Sequence, residues 1–258
     1  DTHTAESLVD LRINGKFYNN LVWNPGGSVV ECDVCTSYDV TKDGKSLVFH
    51  LIKGIKFQSG EELKAKDVKY SLEKMMGMVD GIISARSGIL KEYVDSVQAM
   101  DDYTVVVNLV RPSAFPITVM AIGFSGIYKD GTTREQLKKT PLGTGPYKIK
   151  SWESGAEMVL ERNPNYFKQG RPYLDTLTFK FIRDSNAAQA ALITGRLDYY
   201  FENAGFFPNN RTIAQQMAKD GKVNFWVQPG ECETQGIIVN TQHTIFGNVK
   251  VRQAMNLV

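Results

Sequence analysis

The chain has 258 residues, of which 42% are apolar and 22% charged, with a formal net charge of +2. This is the balance of a folded chain of one large or two smaller domains, and it excludes an intrinsically disordered polymer. It offers no basic field of the kind nucleic-acid binding needs, and no window approaches the roughly 18 apolar residues that span a bilayer.

The chain opens on DTHTAESLVDL, without the basic start and apolar run of a secretion signal. If the protein is exported, its targeting segment is expected to have been removed from this sequence. Leu8, Leu11 and Ile13 lead to Phe17, Tyr18, Leu21 and Val22 at loosely helical spacing. Pro25-Gly26-Gly27 is a turn. The three cysteines are Cys32, Cys35 and Cys232, and the three histidines, His3, His50 and His243, lie far apart. One Cys-x-x-Cys pair is half a structural zinc site. Residues three apart in an extended strand face opposite sides, so a disulfide there would require a turn. The pair is therefore read as ordinary side chains, and no metal or cofactor is expected.

Asp43-Gly44 lies between two strand-like runs and marks a hairpin. From Leu47 to Ile52 the side chains alternate with a period of two, which predicts a strand. Val68, Leu72, Met75 and Met76 then recur at three-and-four spacing, which predicts a helix from Ala65 with the lysines on its wet side. Lys64 precedes it and cannot act as an N-cap, because its side chain accepts no hydrogen bond. Val94 to Met100 and Thr104 to Leu109 flank Asp101-Asp102 as a second hairpin, and Pro112 to Met120 opens a short helix.

Gly143 and Gly145 fit a close approach of two backbones, and Pro146 leads into a strand over Tyr147 to Lys150. A phosphate loop would need a helix behind these glycines, so phosphate binding is set aside. Met158 to Leu160 is a strand, and Asn163 to Phe167 a turn whose aromatics cover a core edge. Leu177 to Ile182, Ser185 to Thr194 and Leu197 to Phe201 read as strand, helix and strand, the unit of an α/β sheet. Ligands gather beyond the carboxyl ends of such strands, where Tyr200, Glu202 and Asn203 stand. A hydrogen-bonded loop is the alternative reading of each. A short helix over Ile213 to Met217 and strands over Val223 to Val227 and Gly236 to Asn240 follow.

Three motifs in order carry a family likeness. They are Leu47 to Met75 (LVFHLIKGIKFQSGEELKAKDVKYSLEKM), then Gly143-Thr144-Gly145-Pro146-Tyr147 with Leu160 to Tyr166, then Asn248 to Asn256. Together they resemble extracellular solute-binding proteins of the peptide/nickel class, family 5, which serve ABC importers. The resemblance implies an α/β fold of the type II periplasmic-binding class (cluster C). Residues 1–20 and 141–228 would form a discontinuous lobe I core, 21–140 an inserted α+β subdomain, and 229–258 the start of a truncated lobe II. The helix opening at Val249 has no following strand, so the chain is expected to be a fragment with apolar surface exposed around Ile237, Ile238, Val251 and Met255.

The resemblance also places a polar ligand-facing position near Glu6, for which a solvated loop carboxylate is an equal reading. It puts Glu231, Cys232, Glu233 and Thr234 just after the lobe crossing, and the two glutamates would favour a cationic group on the ligand. The family commonly carries an acidic residue and glycine where this chain has Asn19-Asn20. The implied function is capture of peptides or a related small solute outside the cytoplasmic membrane and delivery to ABC permease subunits. The full-length form would be a monomer, with a lipid anchor as one mode of attachment. No nucleophile elbow, metal helix or nucleotide fingerprint points to an enzyme. A ligand-sensing regulator on the same fold is the alternative, since fold does not fix function.

Overall fold

The computed structural model describes residues 2–4, 12–26, 29–81, 88–200, 208–224 and 248–251. They belong to two compact units, Asp1–Ala204 and Gly205–Val258. In the first unit, β1 (Val22–Trp23) pairs antiparallel with β2 (Glu31–Cys32). β3 (Cys35–Val40) and β4 (Ser46–Leu51) form the hairpin predicted at Asp43-Gly44, with Gly44 at φ +69°. β5 (Val94–Ala99) and β6 (Thr104–Leu109) form the second hairpin, and the four strands assemble in the order β3-β4-β6-β5.

Alternation gives this sheet one dry face. Leu47, Phe49 and Leu51 of β4 are buried, and so are Val105, Val107 and Leu109 of β6, with Leu47 opposite Val107 and Phe49 opposite Val105. Helix α1 (Ala65–Met75) packs on β5 and β6 and buries Val68, Leu72 and Met75. Each such side chain contributes about 1.5–3 kcal/mol on leaving water. The helix begins at Ala65 despite its lysine, because Asp67 supplies half of a capping box. Its Oδ2 accepts from Lys64 N at 2.7 Å, while Oδ1 accepts from Asp130 N at 2.8 Å. Burial pushes the Asp67 carboxyl above its usual range, and these two backbone donors pull the other way. Short helices α2 (Gly88–Lys91), α3 (Phe115–Met120, the helix expected after Pro112) and α4 (Arg134–Lys139) complete this region.

One apolar cluster runs from Leu21 to Ile127, and a second gathers Phe17, Tyr18, Tyr128, Leu137, Tyr147, Met158 and Leu160. The helical spacing read from Leu8 to Val22 holds only over 12–14 of the described residues, after which the chain turns at 15–17 and enters β1. The carbonyls that a longer helix would use are taken elsewhere. Phe17 O accepts from Gly145 N at 2.8 Å and Lys16 O from Tyr147 N at 3.0 Å. Gly143 and Gly145 make this approach feasible: a Cβ on either would lie 2.1 Å from Phe17 O or 2.4 Å from Phe17 C, respectively.

The chain continues as β7 (Tyr147–Glu153), β8 (Glu157–Arg162) and β9 (Thr176–Lys180), an antiparallel three-stranded sheet. Helix α5 (Ser185–Ile193) follows, capped by Asp184 accepting from Ala187 N at 2.7 Å, with Ala188 buried. The strand expected next is not formed over Leu197 to Tyr200. The N–H groups of Arg196 and Leu197 both turn back to Ala191 O around Gly195 at φ +70°, so they close the helix instead of starting a ladder.

Cys32 and Cys35 form a disulfide, which corrects their reading as ordinary side chains. The strand-face argument fails because β2 ends at Cys32 and β3 begins at Cys35, with Asp33-Val34 bending between them.

In the second unit, α6 (Pro208–Lys219) is longer than the predicted 213–217 and buries Ala214 and Met217. Residues 249–251 are helical, and Asn248 Oδ1 accepts from Lys250 N at 2.9 Å, which caps the turn. Val223 and Asn224 are not in a strand. Residues 225–227 and 236–240, where strands were expected, lie outside the described residues, as do Ile237, Ile238 and Met255. Val251 is half-buried. Among the described residues no helix is long and apolar enough to cross a membrane.

Candidate functional site

Of the ligand-facing candidates, only Tyr200 lies among the described residues, half-buried beyond α5 and next to exposed Asp198 and Tyr199. Glu6, Glu202, Asn203, Glu231, Cys232, Glu233 and Thr234 lie outside them.

What the structure does assemble is a polar junction centred on Asp33. The bend between β2 and β3 turns this carboxylate inward, 8% exposed. Asn19 Nδ2 donates to both of its oxygens at 3.0 Å, Asn20 N donates to Oδ2 at 2.9 Å, and the Lys168 ammonium pairs with Oδ1. Asn19 Oδ1 accepts in turn from Thr144 Oγ1 at 3.1 Å, and Tyr166 OH stands 3.4 Å from Asn19 Nδ2. The junction thus gathers side chains from the second family-like motif, Thr144 and Tyr166, around Asn19. A carboxylate there would face Asp33 at hydrogen-bond distance, whereas an amide donates to it. The departure at Asn19-Asn20 was the readable signal; the partner Asp33 was not readable from spacing.

Beside this junction lies a cavity of about 300 Å³ walled by Tyr18, Asn20, Trp23, Asp33, Gly123 and Lys168. Trp23 is 40% exposed, with the Lys168 ammonium 5.9 Å from its ring centre. Tyr18 is buried, and its hydroxyl has no hydrogen-bond partner among the described residues. Burial holds that phenol protonated far above neutral pH.

A second, open cavity of about 620 Å³ lies at the end of the four-stranded sheet, lined by Thr36, His50, Lys53, Asp101 and Tyr103. The ammoniums of Lys64 and Lys53 sit 4.1 and 5.1 Å from the Tyr103 ring centre. Lys64 also pairs with Glu62 at 2.9 Å and lowers that carboxyl to about 2 by hydrogen bonding. His50 lies in β4, as its pattern predicts, with Nε2 3.4 Å from Asp39 Oδ2. Among the described residues no group of three or more His, Cys, Asp or Glu side chains is placed to hold a metal ion.

Near the amino end, Thr2 N donates to Tyr128 OH at 2.6 Å, and His3 Nε2 lies 3.0 Å from Gly126 O. Burial is the main cause that lowers the His3 pKa to about 3, with Lys74 and Arg134 adding to it against the Gly126 bond. The unfolded chain binds this proton below its ordinary pKa of 6.5 and the folded chain does not. The His3 contribution is therefore present above pH 6.5 and lost as pH falls toward 3, at up to about 1.4 kcal/mol per pH unit. Undocking of residues 2–4 caps the loss. Denaturation midpoints at pH 7 and 4.5 should converge more for His3→Gln than for wild type; parallel profiles would reject the assignment.

Residues 30–258 match the family described as bacterial extracellular solute-binding proteins, family 5. The heme-binding protein A of Haemophilus influenzae is 29% identical over 93% of this chain and 46% of its own length. The glutathione-binding protein GsiB of Pectobacterium atrosepticum is 28% identical over 99% of this chain and 48% of its own. The solved structure of the oligopeptide-binding protein AppA from Bacillus subtilis, in complex with a nonapeptide, superimposes with a TM-score of 0.68 at 28% identity, over 76% of this chain and 40% of that one. The chain spans about half the length of the curated relatives it matches. The fold is that of the type II periplasmic-binding proteins. With a match over most of its length, the chain belongs to the bacterial extracellular solute-binding proteins of family 5.

Proposed function

We propose that the intact protein is the substrate-binding component of an ABC importer, capturing peptides or a related small solute outside the cytoplasmic membrane and handing them to the permease subunits. The observation that carries this reading is the family match over residues 30–258. A glutathione-binding relative and a nonapeptide-bound structural neighbour support the peptide class. In this reading the intact protein is a monomer, with a lipid anchor as one mode of attachment, and performs no chemistry on its ligand. Ligand stabilises a closed form, which couples capture to delivery.

Residues 1–20 and 141–228 serve as the lobe I core in this proposal, 21–140 as an inserted subdomain and 229–258 as the start of lobe II. Glu6, Tyr200, Glu202, Asn203, Glu231, Cys232, Glu233 and Thr234 are the ligand-facing residues. The Glu231 and Glu233 carboxylates select a cationic group such as a peptide amino terminus. Replacing both by Gln should weaken a cationic ligand about tenfold or more, as expected for loss of charge-assisted hydrogen bonds. Unchanged affinity by calorimetry would remove their role.

The function is tested by purifying the intact protein without denaturation and identifying what it carries by mass spectrometry. Heterogeneous short peptides are the expected result. A single heme, sugar or metal chelate would keep the receptor and replace its substrate.

A further inference from the structure

We propose that the Cys32–Cys35 disulfide is a redox-addressable clamp whose reduction releases the Asp33 bend and loosens the Trp23–Lys168 cavity while the sheet and α1 stay folded. The disulfide closes only the bend Cys32-Asp33-Val34-Cys35, and that bend aims the Asp33 carboxylate at Asn19, Asn20 and Lys168.

Its two ends differ in a way that suits a switch. Cys32 is half-exposed and ends β2, a two-residue strand paired only with β1, itself two residues long. Cys35 is 3% exposed and begins β3, whose ladder to β4 is anchored through Val40 opposite Leu47. Cys35 Sγ lies 3.3 Å from Leu21 O. A thiol formed there has an acceptor at hand, so the reduced state leaves no buried S–H group unpartnered. Opening the bond frees the short strand and the bend, while Val34 keeps its core position through Ile52 N donating to Val34 O at 2.9 Å.

The exchange is balanced with a dithiol reductant. Its thiolate attacks the sulfur of Cys32, the less buried of the two residues, forming a mixed disulfide and expelling Cys35 as a thiolate that takes up a proton. The second thiol of the reductant then displaces Cys32. The reductant leaves as its own disulfide, and two electrons have passed to the protein.

The test treats the full chain with dithiothreitol under native conditions, alkylates free thiols with iodoacetamide and maps them by mass spectrometry. Amide exchange and tryptophan emission are followed in parallel. Label should appear at Cys32 under native conditions and at Cys35 once the reduced chain is unfolded in the alkylating agent, and exchange at Asn20, whose N–H bonds Asp33, should speed up about tenfold or more while Leu72 in α1 stays protected. Emission should shift in wild type and not in Trp23→Phe. The Cys32→Ser/Cys35→Ser variant should reproduce the reduced state and ignore dithiothreitol. If that variant does not fold, the reduced wild type decides. Resistance to reduction until global unfolding, reduction that unfolds α1 as well, or reduction without change at Asn20 and Trp23 each overturns the clamp.

Discussion

Replacing Gly143 by alanine should cost about 3 kcal/mol or more, the upper range of overpacking a tight site. The added Cβ would lie 2.1 Å from Phe17 O and 2.5 Å from the Tyr18 ring, far inside van der Waals contact. The nearest atom is backbone, and that carbonyl also accepts from Gly145 N, so it cannot swing aside without breaking the bond. Gly145→Ala meets Phe17 C at 2.4 Å and should behave alike. Gly60→Ala separates clash from conformation. Its φ is +101° and its Cβ would meet open space, so only the backbone term of about 1–2 kcal/mol applies. Urea midpoints of the three variants give the comparison; a Gly143→Ala variant milder than Gly60→Ala would refute the close approach.

Asp80→Asn should be comparably damaging, at about 3–5 kcal/mol. The Lys74 side chain, on α1, is 2% exposed and its ammonium lies 2.5 Å from Asp80 Oδ2, which also takes Arg134 Nε at 2.9 Å. Removing the carboxylate leaves a dry ammonium beside a guanidinium. Lys74→Met removes the buried cation instead, leaves Asp80 with Arg134, and fills the same channel with an unbranched chain. Its cost should be about 1 kcal/mol or less. Denaturation at neutral pH and moderate salt would show the order of the two variants. The reverse order would mean that Asp80 is not the partner that makes the Lys74 burial tolerable.

Local signals carried most of the described fold. Period-two alternation located β4 and β9, Asp43-Gly44 and Asp101-Asp102 located the two hairpins, and the Val68-Leu72-Met75 spacing located α1. The paired glycines of the second motif announced a close backbone approach before its partner, Phe17, was known. Errors came where one segment's backbone was claimed by another. Phe17 and Lys16 give their carbonyls to the 145–147 segment, so the amino-terminal helix stops short. Arg196 and Leu197 give their N–H groups to Ala191, so no strand starts there. The disulfide was missed because the strand-face rule assumes an extended chain, and Asp33-Val34 bends. Asp33, Thr144 and the Tyr166–Lys168 turn are far apart in sequence, and no spacing rule joins them.

Ile127 N donates to Asn19 O at 3.0 Å, just where one apolar cluster gives way to the other on both passages of the chain. Exit and re-entry are thus a single hydrogen bond apart. In the language of gene architecture, the codons between them read as a cassette: a segment whose ends meet can be exchanged with a relative's, provided that the side chains it pairs with outside, such as Lys168 and Arg134, come from the same relative. Recombination at these two points should yield folded chimeras more often than crossovers inside either core.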